Sequence, residues 1–219
     1  MKTSLLPRLY ASCGLACLAL ALPSLAQACS PISLQVDSVK APVEGQIIQA
    51  ISCRDVEGEQ VFVETRVAGT MVGGKLQPTA VSFYQFTVTG KRTFNKRWQA
   101  RDFLPAEPRN SKIQRATRLV VRDVDGDGVA EAFISYALPG QGSNSDDGKL
   151  LVFYKDHKFA IRGAVAASAS DFSTRNLDAA FASLPASVQS YALGLWDTVA
   201  LPRGFLPPGG MTVTQAPEH

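Results

Sequence analysis

The chain has 219 residues, 22 of them basic and 19 acidic for a formal net charge of +3, and 46% are hydrophobic. That length supports one domain with a sizeable core. The near balance of charge gives no electrostatic case for nucleic acid as a partner.

The chain opens as a secretory signal. Lys2 and Arg8 supply the positive start, residues 11–25 the apolar middle, and Ala26-Gln27-Ala28 the small-x-small pattern that precedes cleavage. Residues 1–28 are therefore expected to be a signal peptide. The apolar stretch is short for a membrane span and is broken by Pro23. No transmembrane span is expected in the mature chain. Cys29 stands where a lipidated cysteine would, but Ala26 occupies the position at which lipoprotein signals carry Leu, so a lipoprotein fits poorly. Cys13 and Cys17 leave with the signal, and Cys29 and Cys53 remain to form one disulfide in an oxidising compartment, periplasmic or secreted.

The mature chain begins with a proline-punctuated lead-in and continues as short β-like segments at 46–51, 60–67, 81–88, 96–101, 117–122, 129–137, 149–154 and 158–162. β-branched and aromatic residues dominate them and turn-formers separate them, as an antiparallel sheet requires. The pair 149–154 and 158–162 reads as a hairpin across Lys155-Asp156-His157, and 140–148 as a long polar loop. The pattern then changes. Residues 176–184 read as a short helix stopped by Pro185, and 186–199 as a second, with Val188, Tyr191, Ala192, Leu195 and Val199 at helical spacing and Trp196 flanking the stripe. The expected fold is α+β and β-rich: an antiparallel sheet with a strand–calcium loop–strand element and two C-terminal helices. A single domain is expected over 29–204, with a flexible Pro/Gly tail at 205–219.

The chemistry lies between two β-like segments. Asp123, Asp125 and Asp127 alternate, Gly128 follows, and Glu131 comes three residues later. Calcium takes six to eight oxygen ligands, and carboxylates at alternate positions of a tightly curled loop can converge on it. Asp123, Asp125, Asp127, Glu131 and the Val129 carbonyl are the expected ligands, with Gly128 giving the sharp turn and Gly126 relieving crowding. Magnesium tolerates all-protein cages poorly, and with no His or Cys in the loop zinc and copper are disfavoured. An EF-hand would need a bidentate Glu at the twelfth position, where this chain has Ile134, and helices on both sides.

The pattern Asp123-x-Asp125-x-Asp127-Gly128-x-x-Glu131 between strands resembles the calcium loop of FG-GAP/VCBS repeats, with Glu where that loop commonly carries Asp. The wider order of features is similar to a family of exported bacterial proteins often labelled surface polysaccharide biosynthesis proteins. Its matching pieces are Lys96-Arg97-Trp98 through Phe103, the Asp loop, 149–154, 159–163 and Leu195-Trp196. The resemblance implies a structural calcium ion and no mechanism. A propeller would need several blades, and the only echo of the loop is Arg54-Asp55-Val56-Glu57-Gly58-Glu59, which lacks the critical glycine.

No catalytic residue is assigned. His157 and His219 are the only histidines, and no nucleophile elbow, zinc-protease helix or phosphate-cradling glycine loop is found. The expected function is a non-catalytic envelope or secreted module. The alternative is a hydrolase using paired carboxylates, with calcium as a structural ion. Ten basic residues between 91 and 122, interleaved with aromatics, suggest a face around Arg97, Trp98 and Arg101 for an anionic glycan or another cell-envelope component. The competing reading places these charges on solvent-facing strand positions.

Overall fold

In a computed structural model of the chain, residues 28–34, 43–72, 75–90, 92–103, 118–138, 145–166 and 173–200 are described. All of the expected signal peptide but Ala28, and the whole of the expected C-terminal tail, lie outside them. Among the described residues, ten strands form two antiparallel five-stranded sheets rather than the single sheet expected. The first contains β1 (Ala28–Pro31), β2 (Gln46–Asp55), β3 (Gly58–Val72), β4 (Lys75–Thr89) and β5 (Thr93–Phe103), in sequential order. The second contains β6 (Arg118–Arg122), β7 (Glu131–Leu138), β8 (Ser145–Tyr154), β9 (His157–Ala166) and β10 (Asn176–Leu177), also in order.

Alternation along the strands builds the layers. On the inner faces, Phe62, Phe83 and Ala100 of the first sheet meet Ile134, Leu151 and Phe153 of the second in one buried cluster. Each large side chain removed from water there contributes roughly 1.5–3 kcal/mol. Trp98 stacks on Phe153 across the layers, with ring centroids 3.6 Å apart and planes within 6°. The opposite side of the second sheet carries Phe133, Leu150, Val152 and Ile161, covered by α1 (Ala186–Ala200) and a 3-10 helix (Ala179–Ser183). β7 is covered on both sides, so all eight of its residues are buried. On the outer side of the first sheet, the lead-in residues Ile32, Leu34 and Val43 pack against a cluster containing Val63, Tyr84 and Phe86.

Only one of the two expected C-terminal α-helices forms. Asn176 and Leu177 instead pair with Arg162 and Ile161 as β10, and the rest of that segment is the 3-10 turn, capped by Asp178. With Pro185 closing the segment, too few residues remain after β10 to propagate an α-helix. The second helix forms, but Trp196 is the centre of its buried stripe and not a flank: Val188, Ala192 and Trp196 repeat at i, i+4 and are 0–2% exposed. Gly148 makes room for the indole, since a Cβ there would lie 2.3 Å from Val165 and 3.0 Å from Trp196. The expected polar loop ends sooner than its sequence suggests, because β8 already begins at Ser145. Cys29 and Cys53 face each other across β1 and β2 and are joined by the expected disulfide.

Candidate metal centre

Three turns meet at one end of the sandwich. The Asp loop connects β6 to β7, whose last pair before the loop is Arg122 with Glu131. The chain reverses through Gly126 (φ +79°) and Gly128 (φ +88°), a region glycine enters without steric cost. Asp123 accepts from the Gly126 N–H at 2.7 Å through one oxygen and from the Gly128 N–H at 2.9 Å through the other. Asp125 accepts from the Asp127 N–H, and Asp127 from the Val129 N–H. The carboxylates thus curl the backbone around themselves.

The four acidic side chains expected as ligands come together. Asp123, Asp125, Asp127 and Glu131 each offer an oxygen within 4.8 Å of the others, a group that could hold a metal ion. Glu131 is only 1% exposed and accepts from the Val124 N–H at 2.7 Å. Burial, reinforced by the charges of Asp125, Asp123 and Asp127, pushes its carboxyl up to about 8 against the pull of that N–H. A cation among these oxygens would remove the cause of the repulsion, and an all-oxygen donor set suits a hard divalent ion. The donor set therefore fits the expected metal.

Two neighbouring turns complete the arrangement, and only the β2–β3 turn carries a motif-like signal in the sequence. In the β2–β3 turn, the Val56 N–H donates to the Gly128 carbonyl at 3.0 Å, and Asp55 accepts from the Ala130 N–H at 3.3 Å. A Cβ on Gly128 would lie 2.7 Å from Val56, so this glycine serves both the loop's reversal and the docking of the turn. The sequence signal was the faint echo of the loop at Arg54–Glu59, which is this docking segment and no second metal loop. In the β8–β9 turn, the Tyr154 hydroxyl donates to Asp125 at 3.0 Å, and the Lys155 ammonium pairs with Asp127 at 2.8 Å.

The residues of the expected anionic face are placed elsewhere in this framework. Arg97 is the extra residue of a β-bulge opposite Gln85 and Phe86. Its guanidinium bonds Glu57 of the β2–β3 turn and Asp156 of the β8–β9 turn, bridging the two sheets beside the loop. Trp98 is the inter-sheet stacking partner described above. Arg101 pairs with Glu44 and lies over the Phe103 ring. Two arginines and a tryptophan are thus engaged with named partners. A concavity of about 430 Å³ lies toward the other end of the second sheet, bordered by Asp147, Lys149, Arg162, Thr174 and Asn176.

Among known proteins, the chain matches no family model, no curated protein and no solved structure. None of the described helices is long and apolar enough to cross a membrane. The disulfide is of a kind that persists in oxidising compartments.

Proposed function

We propose that this protein is an exported, non-catalytic module of the periplasm or secreted fraction, stabilised by one calcium ion at the Asp loop. One observation carries the reading: four carboxylates converge within 4.8 Å, one of them almost fully buried. Asp123, Asp125, Asp127 and Glu131 would hold the ion together with the Val129 carbonyl. When bound, calcium supplies positive charge and fixes the loop. The resemblance to FG-GAP/VCBS loops supports calcium over other divalent ions, and the leader and disulfide support export. A role with surface polysaccharide rests on the wider resemblance alone.

The geometry gives the ion more than one strand connection to hold. Because the β2–β3 turn docks on Gly128 and Ala130, fixing the loop also fixes the contact between the two sheets. Calcium at ten times its dissociation constant would contribute roughly 1.4 kcal/mol of stability. Calcium should therefore raise the melting temperature of chelator-treated protein more than magnesium does, and Asp125→Ala should abolish the rise. An unchanged melting curve in saturating calcium would overturn the reading.

A further inference from the structure

The β8–β9 hairpin turns through Lys155 (φ +46°) and Asp156 (φ +64°), two consecutive non-glycine residues in left-handed conformation. Two-residue turns of this kind favour Asn-Gly, Asp-Gly or Gly-Gly, and a long side chain such as lysine carries a conformational cost in the first position. Asp tolerates the left-handed region, and Asp156 bonds Arg97. Lys155 has no such tolerance, and its ammonium reaches Asp127 with side-chain exposures of 55% and 28%. An ion pair this open to solvent contributes too little to folding to account for lysine in the turn. Local rules of this kind are most often broken where a residue serves a site.

We propose that Lys155 is a resident counter-cation of the Asp loop, holding Asp127 in the metal-free protein and weakening calcium binding by its charge. The inference rests on the calcium reading above and adds its regulation. Lys155 offsets one of the three aspartate charges, so the metal-free loop keeps its curled shape. A calcium ion entering the loop meets an ammonium already 2.8 Å from a ligand carboxylate. At a separation of about 6 Å in a water-like dielectric, repulsion between +1 and +2 weakens binding about tenfold. The site is thereby tuned to respond at higher calcium than its four carboxylates alone would set.

The test is calorimetric titration of calcium chloride into the purified, chelator-treated full chain. Wild type is compared with Lys155→Asn, which suits the turn conformation, and with Lys155→Arg, which keeps the charge. Lys155→Asn should tighten calcium binding about tenfold at low salt, with the gap narrowing as salt screens the charge. Lys155→Arg should stay near wild type. A purely structural lysine would change melting temperature and leave calcium affinity alone. Binding by Lys155→Asn within twofold of a wild type that does bind calcium would overturn this inference only. A wild type that binds no calcium would overturn it together with the calcium reading.

Discussion

The two ends of the sandwich solve the same electrostatic problem in opposite ways. Toward the far end, Asp102 of the first sheet accepts from the Tyr136 hydroxyl at 3.0 Å and pairs with Lys149, both on the second sheet. Glu64, 1% exposed, pairs nearby with Arg66 on the same strand. These carboxylates have their cations in the chain. At the loop end, Asp123, Asp125, Asp127 and Glu131 crowd together with Lys155 as the lysine on their rim. Both arrangements tie one sheet to the other, but the first pairs its carboxylates with cations of the chain, whereas the second gathers four carboxylates that could hold a metal ion. Buried carboxylates are tolerated when paired. A cluster of four converging carboxylates is a group that could hold a metal ion.

The comparison can be broken most severely at Gly128. Gly128→Ala would force an alanine to φ +88° and press its Cβ against Val56, while Gly126→Ala at φ +79° meets open space. Gly128→Ala should cost about 3 kcal/mol and Gly126→Ala about 1 kcal/mol, measured by denaturant unfolding. Equal losses would mean that docking of the β2–β3 turn contributes nothing at the loop end.

A smaller pair of changes tests the sign of the difference. Asp102→Ala should destabilise by about 2 kcal/mol with or without calcium, because it strands the Tyr136 hydroxyl and Lys149 together. Asp123→Asn should change metal-free stability by less than about 1 kcal/mol, because the amide can accept only one of the Gly126 and Gly128 N–H bonds and that loss offsets the relief of like-charge repulsion. It should also remove the calcium response. Were Asp123→Asn to destabilise the metal-free protein as Asp102→Ala does, the loop would be as self-sufficient as the far end.

Much of this contrast could be read in the sequence, and the unread part is long-range. The Asp loop was legible because its four acidic residues lie within nine positions and alternate as the ligands of a hard cation do. The strands were legible from β-branched and aromatic runs, and the disulfide from the two cysteines that remain once the expected leader is set aside. The division into two sheets was not, since inner-face residues such as Phe62 and Phe153 alternate alike in one sheet or two. Trp196 read as a flank because the stripe's centre depends on which helix face meets Gly148, a pairing set by tertiary packing. Tyr154 and Lys155 looked like ordinary turn residues, and nothing local shows that the turn reaches the loop. The echo at Arg54–Glu59 takes its meaning from a tertiary contact, the Val56 N–H on the Gly128 carbonyl.

A pH series sharpens the comparison without mutation. The Glu131 carboxyl sits at about 8 in the folded, metal-free loop, against an ordinary value of 4.5. Between these values the folded state binds more protons than the unfolded state, so this group's contribution to stability falls as pH rises. It is fully present below about 4.5 and lost as pH passes through 8. Metal-free protein should therefore lose melting temperature from pH 5 to pH 8. Saturating calcium should flatten that slope, because the ion replaces the proton, and Glu131→Gln should remove it. A slope unaffected by either change would assign it to other groups.

The smallest expected effect isolates the outer rim of the loop. Tyr154→Phe removes one hydroxyl, whose bond to Asp125 spans 3.0 Å, and leaves the ring in place. A single hydrogen bond to a charged group at a partly exposed site is worth about 1 kcal/mol. That loss should appear in the metal-free protein, where Tyr154 and Lys155 are the contacts that steady the Asp125 and Asp127 carboxylates from outside the loop. With calcium bound, the ion itself fixes Asp125, so the loss should shrink toward half or less. Denaturant unfolding with calcium and with chelator gives the difference directly. A loss of equal size in both states would mean that the rim and the ion act independently, and the hairpin turn would then be a neighbour of the loop and not part of its control.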